Sequence, residues 1–243
     1  MSQHSIRYGD ERIRFTVRQS LSRPKTKVAI HVEPDGHVIV DAPPEADVEA
    51  IRSAVKKRAR WISRHLEAAR GRMAHVPPRE YVSGEALHYL GRRYRLKVLP
   101  NAGAVPAAAM RGGFVEVTVR HRSREAVRTV LDAWYRTRAR EVFDERMLAL
   151  GTPLRWLRQA PPTRLQAMKL QWGSCSPAGR ITLNPWLVKA PRECIDYVLL
   201  HELFHLQHHN HSPSFYRALN RHMPGWRNAK SRLDALADHL LAR

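Results

Sequence analysis

The feature that most constrains this chain is a short motif with two histidines and a glutamate, His201-Glu202-Leu203-Phe204-His205. Residues four apart on a helix lie on the same face, so His201 and His205 can bind one metal ion from consecutive turns. Glu202 lies about 100° further round the helix, where its carboxylate can reach a metal-held water. Two imidazole ligands beside a carboxylate base are typical of a zinc hydrolase.

The residues around the motif predict a buried helix that begins at Pro191 or Arg192. Apart from Asp196, residues 195–200 are apolar or aromatic, and Leu206 continues the apolar run. The alternative is an ordinary core helix whose histidines make hydrogen bonds. Burying two histidines and a glutamate without partners would cost free energy, so a metal site is favoured.

The residues alone leave the third metal ligand open. His211 follows the second histidine of the motif by six residues, but His208 and His209 compete with it on spacing. If His208 is not a ligand, it is expected to face solvent or to contact a metal-binding side chain without binding the metal itself. A downstream carboxylate such as Asp234 would instead complete a site with two histidines and one acid.

Several other side chains are candidates for supporting roles. Asp196 is expected either to orient a ligand imidazole or to be an ordinary capping or surface residue. Cys175 is interpreted as structural, because no separate base accompanies it and a fourth protein ligand would close the open position of a catalytic metal. The side chains suited by type to stabilise an oxyanion are His222, Tyr216 and Tyr197.

Alternating apolar residues predict strands in the first 100 residues, at 12–18, 26–32, 38–40, 86–90 and 94–98. The turn residues Pro34-Asp35-Gly36 predict one hairpin, and Gly91 predicts a second, tight one. Residues 1–11 are expected to be a loose polar segment. Apolar residues at intervals of three and four predict a helix over 47–70.

The remaining 143 residues combine short strands with helices. Residues 101–113 are expected to form a loop, and Ser123 is expected to cap a helix that runs to about Leu150. Further strands are predicted at 114–119, 163–171 and 180–184, and helices at 214–222 and 227–241. The turn at 223–226 is assigned no chemistry.

The charge of the chain favours contact with polyanions. Lys and Arg number 42 against 22 Asp and Glu, so the net charge is +20. Arginines are densest over 120–140, but the chain shows no RNA-binding signature of interleaved aromatic residues. An arginine-rich soluble surface is therefore the favoured interpretation, with weak, sequence-independent nucleic-acid contact as the expected extent of binding.

The expected location is the cytoplasm. Cys175 and Cys194 are the two cysteines, and they do not form a CxxC pair. The N-terminus lacks the apolar segment of a secretory signal. No stretch approaches the roughly 20 apolar residues of a membrane span, so no membrane contact is expected. Oligomeric state is not indicated.

Together with the histidine motif, an ordered set of short segments resembles the YgjP-like metallopeptidases, small zincins related in motif to the SprT-like and WLM groups. These segments are Trp172-Gly173-Ser174-Cys175, Ile181-Thr182-Leu183-Asn184, Ala190-Pro191, Ile195-Asp196-Tyr197-Val198, Asn210-His211-Ser212, Phe215 and Met223-Pro224-Gly225-Trp226. The resemblance extends over roughly 13–230. It implies a zinc peptidase with His201, His205 and His211 as ligands and Glu202 as general base.

One neighbouring family is disfavoured. The metzincin signature has a glycine three residues after its second histidine, and His208 occupies that position here. Asn tolerates left-handed backbone geometry, so Asn210 is expected to make the turn toward His211 instead.

The expected fold class is α+β, with a β-rich N-terminal part (12–100) packed on a zincin-like catalytic part (101–243) that holds a small sheet and the motif helix. The expected function is hydrolysis of peptide or protein substrates by water activated on Zn²⁺. Trp172, Gly173 and Ser174 are expected at a substrate-facing strand end, where glycine admits close backbone approach; a tight turn with a packed Trp is the alternative. Two other functions stay open: a basic nucleic-acid-associated protein with a structural zinc, and a metal-dependent hydrolase of a non-peptide bond.

Overall fold

The computed structural model describes residues 2–9, 11–19, 28–32, 38–74, 79–168, 171–209 and 211–241. These residues form a mixture of helices and strands, which confirms the α+β class. The chain divides into two compact units, Met1–Pro77 and Pro78–Arg243. No helix in these ranges is long and apolar enough to cross a membrane.

The first unit is a four-stranded sheet with two helices. Its elements are β1 (Ser2–Tyr8), β2 (Glu11–Gln19), β3 (Ala29–Val32), β4 (Val38–Ala42), α1 (Val48–Lys57) and α2 (Ala59–Ala74). The strand order is β1-β2-β4-β3, with β2 and β4 parallel and the other pairs antiparallel. Alternate strand residues such as Ile13 and Phe15 are buried together with Ile51, Val55 and Ile62 of the helices.

Two expectations for this unit are wrong. Residues 2–8 are strand β1 rather than a loose segment, because they pair with β2 along their whole length. The helix expected over 47–70 is broken at Arg58, whose φ of −104° and ψ of 8° are not helical. The apolar period continues across the break, since Val55, Ala59 and Ile62 are all buried. The turn expected at 34–36 lies outside the described residues.

A buried carboxylate stabilises the sheet of the first unit. Asp41 is 2% exposed, and Arg18 donates to its two oxygens at 2.7 and 3.1 Å. His31 Nε2 lies 3.3 Å from Oδ2. Burial alone would raise the pKa of Asp41, but His31 and Arg18 outweigh it and hold this pKa well below its usual range.

Asp41→Asn is expected to lower the free energy of unfolding by about 2 kcal/mol near neutral pH, the usual contribution of a paired aspartate. Because the pKa of Asp41 is depressed by folding, this stabilisation is present above the unfolded pKa, near 3.9, and is lost as pH falls. The wild-type advantage in urea unfolding should therefore shrink from about pH 7 to about pH 2. An equal difference at both pH values would contradict the assignment.

The second unit begins with the same topology as the first. Its first sheet consists of β5 (Ala86–Tyr89), β6 (Arg92–Pro100), β7 (Ala107–Arg111) and β8 (Phe114–Val119), in the order β5-β6-β8-β7. The central pair β6 and β8 is parallel, and the outer pairs are antiparallel. A helix, α3 (Arg124–Gly151), follows this sheet. As predicted, the Ser123 side chain caps α3 by accepting from the Ala126 amide.

This sheet corrects two expectations. Residues 107–111, expected to be loop, form β7 because β8 supplies an antiparallel partner and Gly112 and Gly113, both with positive φ, close the hairpin. The division expected at 100/101 lies instead at 77/78. The physical reason is that the parallel pairing of β6 with β8 joins residues on the two sides of 100 into one sheet.

A second, three-stranded sheet and the remaining helices complete this unit. Its elements are β9 (Thr163–Leu165), β10 (Gly173–Cys175), β11 (Ile181–Leu183), a 3₁₀ helix (Pro185–Lys189), α4 (Arg192–Phe204), α5 (Pro213–His222) and α6 (Trp226–Leu241). The sheet order is β10-β11-β9, with β10 and β11 antiparallel. Of the strand expected over 163–171, residues 163–165 form β9 and residues 166–168 and 171 are not strand, while 169–170 lie outside the described residues.

The β5–β6 hairpin fixes the start of α4. Leu90 and Gly91 make the tight turn with φ of 48° and 75°, and their amides donate to the carbonyls of Val188 and Lys189. A Cβ at Gly91 would lie 2.8 Å from the Cα of Pro191, which precedes α4. The glycine is therefore required by both its conformation and this close approach.

Candidate metal centre

The helix α4 carries His201 and Glu202, and His205 follows its last residue. Nearly every side chain of α4 from Cys194 onward is buried, as the apolar sequence predicted. The His205 amide still bonds to the His201 carbonyl at 3.3 Å, so helical spacing is kept across the end of the helix. The two imidazoles therefore project from consecutive turns on one face.

The structure brings His211 to the same point as these two histidines. The Nε2 atom of His201 lies 3.1 Å from that of His205 and 3.0 Å from that of His211. Among the described residues, no other group of three or more His, Cys, Asp or Glu side chains is placed to hold a metal ion.

The chain returns to the site through the start of α5. Ser212 caps this helix by accepting from the Phe215 amide, and Pro213 occupies its first turn. This places His211 immediately before the cap, next to the last turn of α4. The turn residue Asn210 lies outside the described residues.

The competing third ligands have other contacts. The Nδ1 atom of His208 lies 3.4 Å from Ser214 Oγ, and Asp234 accepts from Lys230 at 2.6 Å. Neither residue belongs to the converging group. His208 acts through its backbone, since its carbonyl lies 2.9 Å from His205 Nδ1. A proton on Nδ1 leaves the lone pair of His205 Nε2 available to a metal.

The side chain of Phe215 packs against all three imidazoles. Its ring centroid lies 5.0 Å from that of His201, 4.8 Å from that of His205 and 4.9 Å from that of His211. Phe215 is fully buried. The sequence assigned it no role, although Ser212 and Pro213 are typical of a helix start and so place Phe215 in the first turn of α5.

Glu202 is buried against the backbone of β10. Only 5% of the residue is exposed, and a Cβ added to Gly173 would lie 2.8 Å from both its Cγ and its Oε1. No residue larger than glycine fits at position 173 without displacing this carboxylate. Gly173 therefore admits the close approach of the Glu202 carboxylate to the backbone of β10.

Residues 26–236 match the family model described as the YgjP-like metallopeptidase domain. The chain belongs to the YgjP-like metallopeptidase family. No curated protein matches the chain.

Two solved structures resemble part of this family member. The metallopeptidase zymogen jannalysin of Methanocaldococcus jannaschii is 19% identical, with 41% of this chain and 96% of that chain covered and a TM-score of 0.34. The metallopeptidase zymogen abylysin of Pyrococcus abyssi is 28% identical, with coverages of 42% and 94% and a TM-score of 0.33.

The metal ion that the metallopeptidase family implies fits this donor set. A neutral imidazole has one N–H donor and one acceptor nitrogen, so three Nε2 atoms directed at one point cannot all satisfy each other. Three nitrogens from His201, His205 and His211 are a ligand set that a divalent transition metal accepts. The buried Glu202 carboxylate beside them also favours a cation at this point.

Three other residues that the sequence singled out in this metallopeptidase do not belong to the converging group. Burial and the Glu202 charge raise the pKa of the Cys175 thiol to about 11, which disfavours the thiolate that a nucleophile or ligand requires. Asp196 accepts from Arg146 at 2.8 Å through each oxygen, so it forms an ion pair between α4 and α3. Trp172 is half-buried, and its carbonyl accepts from the Asn184 amide at 2.9 Å.

Two of the three oxyanion candidates contact imidazoles of the converging group. The Tyr197 ring lies 5.7 Å from that of His201, and Tyr216 stacks on His211 at 6.1 Å. His222 is exposed and contacts the Ala218 carbonyl instead. Trp226 stacks against Tyr197 and Tyr216 at 6.1 and 5.5 Å, so the 223–226 turn, which was assigned no chemistry, supports the aromatic wall of the site.

Gly173→Ala is expected to reduce hydrolysis by roughly 10- to 100-fold, because the new methyl group displaces the Glu202 carboxylate from its position. Metal content should stay unchanged, since no ligand is touched. The control is Gly103→Ala, whose added Cβ meets only Asn101 Oδ1 at 3.8 Å. The measurements are the peptide turnover and the metal content of both variants. Full activity in Gly173→Ala would contradict the close contact between position 173 and the Glu202 side chain.

Proposed function

We propose that this protein is a zinc-dependent peptidase in which His201, His205 and His211 hold the metal and Glu202 is the general base. The observation that supports it most is the convergence of three Nε2 atoms, with 3.0 and 3.1 Å separations, beside a buried carboxylate. Zinc, when bound, supplies a Lewis acid that acidifies a water and polarises a peptide carbonyl.

The protein's own groups would orient the reactants and move the proton. Glu202 follows His201 on α4 and packs against the backbone of Gly173, so its carboxylate has little freedom to move. A carboxylate in this position takes a proton from the attacking water and returns it to the leaving amine. A metal with a purely structural role needs no such base, which favours hydrolysis over a structural site.

The strand β10 is the proposed substrate-binding edge. It is the end strand of its sheet, and β11 is its pairing partner among the described residues. An extended peptide can add to such an edge through main-chain hydrogen bonds, and Trp172, Gly173 and Ser174 would line it. This places a bound peptide next to Glu202, because Gly173 contacts that carboxylate directly.

The test is digestion of a broad peptide library by the purified protein, with products identified by mass spectrometry. We expect the protein to cleave peptides, to lose this activity when its metal is removed by a chelator, and to regain it when zinc is added. The library should be accompanied by non-peptide ester and phosphoester substrates. Zinc-restored turnover of those substrates with no peptide cleaved would overturn the peptidase proposal in favour of another hydrolase.

A further inference from the structure

The outward face of the sheet β5-β6-β8-β7 carries a line of positive charge. Along β6, Leu96 and Val98 are buried in the core, whereas the alternate residues Arg93, Arg95 and Lys97 are exposed. Outward positions recur about every 7 Å along a strand. This spacing is similar to that of consecutive phosphates in an extended nucleic-acid strand.

Most of this charge is not compensated by acids. Glu116 on β8 lies 2.9 Å from Lys97 Nζ and 3.8 Å from Arg111 Nε. Within the described ranges, no carboxylate lies at ion-pair distance from Arg93 or Arg95. These two guanidinium groups are therefore available to an external anion.

The surface around these two arginines is concave and contains an exposed ring. A concavity of about 530 Å³ is lined by Arg93 and Arg95 together with Gly84, Ala86, Tyr94 and Gly113. Phe114 is opposite Arg95 in the register of β6 and β8, and 39% of it is exposed. Proteins that bind single-stranded nucleic acid without sequence preference combine cationic side chains along the phosphate backbone with aromatic rings on which bases stack.

The first unit presents the same arrangement on the equivalent strand. In β2, Arg12 and Arg14 are exposed, while Ile13 and Phe15 between and beside them are buried. Two arginines at consecutive outward positions thus occur on the second strand of both sheets. Arginines scattered over the surface would not be expected to recur at equivalent positions of the two sheets.

The arginines of α3, which the sequence indicated first, are less available. Arg128 lies 3.8 Å from Asp132, and Arg138 donates to Glu141 at 2.6 Å. Intrahelical ion pairs therefore neutralise part of that stretch.

We propose that the outward face of β5-β6-β8-β7 binds the backbone of single-stranded nucleic acid without sequence preference. Arg93 and Arg95 contact neighbouring phosphates, and Phe114 stacks on a base. A membrane surface would require a broad apolar face rather than one exposed ring next to cationic residues. The proposal is independent of the peptidase activity, because the face belongs to a different sheet from β10.

The test measures binding of a fluorescent oligothymidylate to the full-length protein over a range of salt concentrations. For single strands, log affinity falls with log salt by about 0.7 per phosphate contact, so Arg93→Ala/Arg95→Ala should reduce the slope by about 1.4. A fourfold increase in salt should then cost the wild type about sevenfold more affinity than this variant. Phe114→Ala should lower affinity roughly five- to 100-fold without changing the slope.

The matched control is Arg124→Ala/Arg136→Ala, which removes the same charge from exposed positions of α3. It should keep a slope close to that of the wild type. Equal effects of the two double variants would overturn the proposal, since they would show a response to net charge alone. Unchanged oligonucleotide binding in Arg93→Ala/Arg95→Ala, with loss of binding to phosphatidylserine vesicles, would overturn it in favour of a membrane. Arg93→Lys/Arg95→Lys should restore binding, which excludes misfolding as the cause.

Discussion

His211→Ala is expected to lose the metal that the wild-type protein binds at about one equivalent per chain. Only two of the three Nε2 atoms would remain, and no other described His, Cys, Asp or Glu side chain belongs to the converging group. Loss of a supporting residue costs about 10- to 100-fold in metal affinity, so loss of a direct ligand should cost more. His201→Ala and His205→Ala should behave in the same way.

The measurement is competition of each variant against a chromophoric chelator, with elemental analysis after dialysis. His222→Ala is the matched control, because His222 lies on α5 but its ring contacts Phe204 and the Ala218 carbonyl. It should keep the wild-type affinity. Full metal content in His211→Ala would show that His211 is not a ligand, and His208 and Asp234 would again be the candidates for the third ligand.

Glu202→Gln is expected to lower kcat by about 10²- to 10⁴-fold, the usual contribution of general base catalysis. The amide has nearly the shape of the carboxylate and fills the same space against Gly173, so fold and metal content should be unchanged. Because an amide does not accept a proton from water, the loss should appear in kcat rather than in KM.

Glu193→Gln provides the control for this change. Glu193 lies in the first turn of the same helix, where it pairs at the surface with Arg232. The same substitution there should leave turnover near the wild-type value. Wild-type turnover in Glu202→Gln would refute Glu202 as the base, and loss of metal in that variant would show that the carboxylate is a ligand instead.

The parts of the structure that could be predicted are those determined by local sequence. The alternation of Ile13, Phe15 and Val17 and the spacing of apolar residues in α3 are readable because strand and helix have fixed periods. The pair His201 and His205 is predictable for the same reason, since four residues always return to one face of a helix.

The parts that could not be predicted depend on contacts between distant residues. The segment of β7 is rich in alanine, which has low strand propensity, and it is extended because β8 pairs with it. The unit boundary was misplaced because parallel pairing of β6 with β8 leaves no local signal. The repeated strand order of the two units is likewise a property of pairing, and the sequence shows no repeat.

At the candidate metal centre, the position of His211 was the least predictable feature from the residues alone. Its approach depends on how the chain leaves α4 and enters α5, and His208 and His209 have equally suitable side chains. The resemblance to the family indicated His211, and the structure adds the physical setting. Phe215 packs on the three rings, and the His208 carbonyl orients His205.

The most direct test of the proposed metal centre is a crystal structure of the zinc-loaded protein with anomalous diffraction recorded at the zinc edge. We expect one strong peak per chain, bonded at about 2.0–2.1 Å to the Nε2 atoms of His201, His205 and His211. The Glu202 carboxylate should lie beside the peak without coordinating it. A zinc peak held by another set of residues, or one that includes Glu202 in place of His211, would contradict it.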